Sequence, residues 1–314
     1  MRIAVLIVPV LLAASQNFPL KAEATRASAR VDDVNVNAGT ARAWDRPDDF
    51  RREVQATARG REESVQSSAL GRTMKYRVLL PEAYARTLRR YPVLYLLHGL
   101  GGDYTDWTSR TNVAKYGRQL GLIIVMPDGG NQWYTNAADG TAAYEDYVLN
   151  DLPTDVAKKL RTVNSRYGRA TAGLSMGGYG AVKMALKRPA QFAVAGSFSG
   201  AFNVTREGEL ERLIGEAESQ RLQTIFGPPG SPTRRDNDLV SLASALKPAG
   251  APYVYVDCGT ADNALIVANR EVVAVLHKSG AAYEYHETAG GHSWDYWDRR
   301  IREFLPVLMR KLAN

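Results

Sequence analysis

The chain has 314 residues, 45% of them hydrophobic and 23% charged, a balance that suits one large globular domain, or at most two, with a sizeable core. Its net charge of +7 comes from basic residues scattered among acids, so it reads as a solvated, mildly basic surface and argues against a nucleic-acid partner. A single cysteine, Cys258, excludes stabilisation by an internal disulfide.

The N-terminal stretch MRIAVLIVPVLLAA places one arginine before a short apolar run. The run is too short for a spanning helix and fits the h-region of a secretory signal. Residues 1–24 are therefore expected to be a signal peptide, cleaved after Ala24 or earlier near Ser15, with no cysteine following to accept a lipid. A secreted or periplasmic protein, with no stable membrane insertion after cleavage, is the corresponding expectation. Residues 25–58 are polar and lack a sustained period, as in a partly ordered lead-in. The remainder, 59–314, is expected to form one domain.

That domain opens with ESVQSSAL and RTMKYRVLLP, two extended stretches joined around Gly71 and stopped at Pro81, which predict an antiparallel hairpin. YPVLYLLHG (91–99) and GLIIVMPDG (121–129) are continuous apolar runs, the pattern of strands buried on both faces. RATAGLS (169–175), FAVAGSFSG (192–200), APYVYVDCG (251–259) and AAYEYHETAG (281–290) continue the series. Helical stretches lie between them: YVLNDLPTDVAKKLRTV, GYGAVKMALKRP, DNALIVANREVVAVLHKSG and, at the end, WDYWDRRIREFLPVLMRKL. Strands alternating with helices predict an α/β architecture, a mostly parallel sheet with helices on both faces. The segment at about 203–249 interrupts the alternation and is expected to be a pocket-forming insertion.

In such sheets reactive residues gather beyond the carboxyl ends of the strands. Ser175 stands there in GLSMGG, after a predicted strand and before a predicted helix, the context of a nucleophile elbow. A serine needs a base to become nucleophilic, and an acid to orient that base. His98 precedes the serine, His277 falls in a predicted helix and His286 in a predicted strand; His292, in a Gly-rich loop after the last strand, is the candidate base. His286 and His292 lack a third ligand at a recognisable spacing, so a metal site is not expected. For the acid, Asp262 lies past the strand APYVYVDCGT and is favoured over Asp257, which is expected to brace the loop through backbone amides. The amide of Met176 and that of Leu100 in HGLGG, with Gly101 as the alternate, are the expected oxyanion donors. Trp107, Trp133, Tyr134 and Trp294 fall in active-face loops, where they either stack on a substrate or pack the loops; Trp107, Trp133 and Trp294 are carried forward as substrate-binding candidates.

YPVLYLLHGLGGDYTDW, NQWYTN, YEDYVLNDLP, GRATAGLSMGGYGAVKMALKRP, the DCGTAD loop and GGHSWDYW together resemble the esterase D-like family of bacterial α/β-hydrolases, over about residues 65–312. The resemblance implies an α/β-hydrolase fold and a serine carboxylic ester hydrolase with the triad Ser175, Asp262 and His292, no metal and no organic cofactor. The form GLSMGGYGA is most similar to secreted feruloyl, acetylxylan and short-chain acyl esterases. This points to a small-molecule or polysaccharide-linked acetyl or feruloyl ester. S-Formylglutathione hydrolases usually carry a histidine where this chain has Leu174. Mycolyltransferases typically show Asp-Gly-Leu-Arg where it has His98-Gly99-Leu100-Gly101. Acyl transfer of the mycolyltransferase type and a non-catalytic carbohydrate-binding module are the competing readings.

Overall fold

A computed structural model of the protein describes residues 60–206, 208 and 215–312. The expected signal peptide (1–24) and lead-in (25–58) lie outside the described residues, as do 207 and 209–214 of the expected insertion.

The expected hairpin is present as β1 (Arg61–Ser67) and β2 (Arg72–Leu79), paired antiparallel. It joins β3 (Val93–Leu97), β4 (Ile123–Pro127), β5 (Arg169–Leu174), β6 (Val194–Phe198), β7 (Tyr253–Gly259) and β8 (Tyr283–Thr288) in an eight-stranded sheet of order β1-β2-β4-β3-β5-β6-β7-β8. Only the β1–β2 and β2–β4 pairings are antiparallel; the others run parallel.

The continuous apolar strands follow from two cores, one on each side of the sheet. Val93, Tyr95 and Leu97 of β3 enter one core with α3 (Met176–Lys187) and α6 (Ile266–Lys278), whereas Leu94 and Leu96 enter the other, with α7 (Trp294–Leu312). Alternate side chains of one strand meet different helices, so neither set can be polar. Two shorter helices precede the Ser175 bend: α1 (Asp106–Arg110), after β3, and α2 (Leu152–Lys159), which follows a π-helical turn over Tyr147–Asp151. Within the insertion, α4 (Glu216–Phe226) and α5 (Leu239–Ser244) send Leu222, Ile225, Phe226 and Leu239 into the core that α3 shares. Among the described residues no helix is long and apolar enough to cross a membrane.

The strand order reverses at β3. Its successor β4 lies on one side and β5 on the other. A crevice therefore opens between the carboxyl ends of β3 and β5, where the connections leave in opposite directions.

Candidate active site

Ser175 occupies that crevice, between β5 and α3. Its φ of 52° and ψ of −118° lie in a region that non-glycine residues rarely adopt, so the surroundings must hold it. They do so through the backbone: its N–H donates to Phe198 O at 2.9 Å and its carbonyl accepts from Ala201 N at 3.1 Å. Two residues on, a Cβ at Gly177 would sit 2.5 Å from Leu97 O and 2.6 Å from His98 O. Glycine there lets α3 start against the end of β3, which places the elbow beside the HGLGG loop.

The loops after β7 and β8 run side by side. Thr260 N donates to Thr288 O and Ala261 N to Gly290 O, both at 2.9 Å. This pairing brings Asp262 to His292. Asp262 Oδ2 lies 2.8 Å from His292 Nδ1, and His292 Nε2 lies 3.1 Å from Ser175 Oγ. The Asp262 side chain is buried while the imidazole is 39% exposed, so the acid is shielded and the base faces the cleft. A carboxylate on Nδ1 fixes that nitrogen as the proton-bearing one and leaves Nε2 to accept from the hydroxyl. Trp297 packs perpendicular to the imidazole, with ring centroids 4.8 Å apart.

Asp257 has a different place. Its side chain points from β7 toward α7, accepting from the Tyr296 hydroxyl and pairing with Arg300 Nη1 at 3.3 Å. The expected contacts with loop amides are replaced by a tyrosine and a guanidinium, because a residue inside the strand must face one of the two helix layers. Burial raises the Asp257 carboxyl above its ordinary value, against the lowering effect of Tyr296 and Arg300.

On the β3 side, His98 is 1% exposed. Its Nδ1 lies 2.8 Å from Gly99 O, and Gly129 N donates to its Nε2 at 2.8 Å. A carbonyl accepts and an amide N–H donates, so this pattern requires a neutral ring with the proton on Nδ1. Burial lowers its pKa in the same sense, despite Asp128 at 4.0 Å. Gly99 C=O and Leu100 N–H belong to one trans peptide and point in opposite directions. Holding Gly99 O against His98 therefore turns the Leu100 amide the other way, where it has no hydrogen-bond partner among the described residues. The alternate, Gly101 N, is occupied by Asn131 Oδ1 at 2.8 Å. Met176 N, directly after Ser175 at the start of α3, likewise has no partner among the described residues.

The cleft has a volume of about 470 Å³; its walls include Leu100, Leu265, Trp133, Trp294 and Trp297, with Arg110 beside Asp106. Trp294 lies under the guanidinium of Arg110, 5.5 Å from the ring centroid. Trp107 is not among the lining residues: its indole N–H donates to Leu97 O at 2.9 Å, and its ring is buried edge-on against Phe198 and Trp294. It supports the wall from behind. None of the described residues of 203–249 lines this cleft either; that part of the insertion packs on the flank of α3. Trp133 and Tyr134 carry φ angles of 53° and 51°, a consecutive left-handed pair that costs about 1–2 kcal/mol per residue. Among the described residues no group of three or more His, Cys, Asp or Glu side chains is placed to hold a metal ion. His286 instead meets Glu284 at 2.6 Å, and His277 lies 3.3 Å from the Tyr283 hydroxyl.

Residues 67–308 match the model of the Putative esterase family. The chain belongs to this family. Similar proteins include an acetyl esterase of Caldicellulosiruptor saccharolyticus, 28% identical over 66% of this chain and 79% of that protein. A diacylglycerol acyltransferase/mycolyltransferase of Mycobacterium leprae is 28% identical over 79% of this chain and 83% of its own length. Among solved structures, the fluorophosphonate-binding serine hydrolase F of Staphylococcus aureus superposes with a TM-score of 0.70 at 27% identity, over 80% of this chain and 98% of that one. The fold is that of the α/β-hydrolases, and this family member is a serine esterase.

Proposed function

We propose that this esterase is exported and hydrolyses short-chain or carbohydrate-linked acetyl or feruloyl esters through an acyl-enzyme on Ser175. The observation that carries the catalytic part is the unbroken relay from Asp262 through His292 to Ser175, with spacings of 2.8 and 3.1 Å, opening into an aromatic-walled cleft. Export rests on the apolar N-terminal run.

In this reading His292 Nε2 takes the Ser175 proton as Oγ attacks the ester carbonyl carbon. The carbonyl oxygen becomes an oxyanion, held by the amides of Leu100 and Met176, and the start of α3 adds its positive end. Collapse of the tetrahedral intermediate breaks the bond to the alcohol oxygen, which leaves with the proton from His292. Water, deprotonated by the same nitrogen, then attacks the acyl-enzyme and restores Ser175. Asp262 holds the imidazole in its tautomer and stabilises the cation formed in each step.

The substrate class is supported by the indoles in the cleft wall, half-buried Trp294 with buried Trp133 and Trp297 behind it, an aromatic lining that suits a sugar or an aromatic acid. Replacing Ser175 by alanine is expected to lower kcat/KM for 4-nitrophenyl acetate by about a thousandfold or more. A fluorophosphonate is expected to label the wild-type protein at Ser175; retained hydrolysis by the alanine variant, or no adduct on native protein, overturns the reading. Similarity to a mycolyltransferase favours acyl transfer as a second reading. It predicts that an added sugar alcohol diverts the acyl group into a new ester instead of free acid.

A further inference from the structure

About two helical turns along α3 from Ser175 lies a buried ion cluster that the relay does not use. Lys183 is fully buried and Glu145 is 4% exposed. Glu145 Oε2 sits 2.8 Å from Lys183 Nζ and Oε1 sits 2.6 Å from Lys187 Nζ. Lys187 also reaches Asn237 Oδ1 at 3.2 Å. Removing such charges from water is costly, and taking away one partner would leave the other buried and unpaired.

The geometry fixed here is that of the cleft wall. Lys183 Nζ donates to Tyr134 O at 2.7 Å and to Thr135 Oγ1 at 2.8 Å. The Thr135 hydroxyl in turn donates to Trp133 O at 2.9 Å. One ammonium thereby holds both carbonyls of the left-handed Trp133–Tyr134 pair, the second through a relay. The same helix provides the seat for the Tyr134 ring, since a Cβ at Gly180 would lie 2.6 Å from Tyr134 Cδ2. The Tyr134 hydroxyl then ties to His98 O at 3.0 Å. The Trp133 ring is 1% exposed and packed in the core beside α3, edge-on to Tyr179 at 6.0 Å, with its indole N–H 3.5 Å from Glu218 Oε1, so that only a small part of it lines the cleft. Which part of the ring reaches the cleft is set jointly by that packing and by the Trp133 and Tyr134 carbonyls that Thr135 and Lys183 hold.

We infer that Lys183, acting through Thr135 and the Tyr134 carbonyl, is a positioning residue that sets the Trp133 wall and with it the preference of the cleft for aromatic esters. Lys183 touches neither the reacting atoms nor the cleft; it works on selectivity, and the relay should not sense it. The inference deepens the ester-hydrolase reading and rests on it.

The test compares kcat/KM for ethyl acetate, phenyl acetate and methyl ferulate in the wild type and in Lys183→Met, Thr135→Val and Trp133→Ala. Trp133→Ala identifies which aromatic ester the wall selects, by a loss of about tenfold in its preference over ethyl acetate. Lys183→Met and Thr135→Val are expected to lower the same ratio about fivefold, with ethyl acetate turnover and fluorophosphonate labelling near wild type. In the Trp133→Ala background both are expected to change it by less than about twofold, because the wall they hold is gone. Thr135→Val keeps the ion cluster intact, so it carries the test should Lys183→Met fail to fold. An unchanged ratio in soluble variants, equal losses for small and aromatic esters, or full additivity with Trp133→Ala overturns the inference. Failure of the ester reading shows separately, as wild-type protein that neither turns over an ester nor takes the phosphonate label, and it would overturn both.

Discussion

Asp257 and Asp262 come from the same end of the same strand, both are buried, and they have unrelated tasks. Asp257 lies within β7, where strand geometry commits its side chain to one face of the sheet, and that face is covered by α7. It meets Tyr296 and Arg300, one helical turn apart on that helix. Asp262 lies beyond the strand, in a turn where its amide bonds Gly259 O at 3.0 Å, and is free of the alternation. The adjoining loop after β8 then delivers His292 to it. An acid inside the strand braces the scaffold; one past the strand end can face the cleft.

Two substitutions break this comparison in opposite directions. Asp262→Asn is expected to lower kcat by about 10⁴-fold with little change in fold, because an amide N–H can donate to Nδ1 and favour the wrong tautomer. Asp257→Asn is expected to change kcat by no more than about tenfold. It should act instead on stability, because Arg300 and Tyr296 lose the carboxylate they share while the cost of burying its charge is relieved. Denaturant unfolding measured beside initial rates checks both. The reverse pattern, with Asp257→Asn the more damaging to turnover in folded protein, would exchange their roles. A smaller change sharpens the same point: Tyr296→Phe removes the hydroxyl bonded to Asp257 and Thr288 and is expected to cost about 2 kcal/mol of stability.

The distinction between these acids was legible in the sequence as position relative to a predicted strand end, and so were the hairpin, the parallel strands and Ser175 at a strand-to-helix bend. What was not legible depended on which face of an element meets which neighbour. Lys183 in GYGAVKMALKRP reads as an ordinary helical lysine; only the return of the Trp133–Tyr134 loop against α3 makes it a buried anchor. His98 closes a strand in sequence, and its role in turning a peptide appears only when Gly129 is placed against its ring. Trp297 is one more apolar position of an amphipathic helix until the His292 loop folds over it. Conversely, Trp107 has the residue type and loop position of a substrate contact, but α1 buries it behind Trp294.

The pH dependence of stability offers the finest division among the buried carboxylates. Asp257 has one cation at 3.3 Å, and burial dominates, so its pKa in the folded protein stands above the ordinary 3.8. Glu145 is also raised by burial, but Lys183 and Lys187 outweigh that and hold it at about 2, below the ordinary 4.5. The linkage signs are therefore opposite. For Glu145 the unfolded chain binds the extra proton, so its contribution is present above pH 4.5 and is lost as pH falls toward about 2. For Asp257 the folded protein binds the extra proton, so stability falls as pH rises from 3.8 through the folded-state value. On acidification the stability of wild type relative to Glu145→Gln is expected to fall, whereas its stability relative to Asp257→Asn is expected to rise. Urea unfolding of the three proteins between about pH 5 and pH 2 measures both differences on one scale. Parallel trends would show that the second ammonium beside Glu145 does not outweigh its burial, leaving the two carboxylates electrostatically alike.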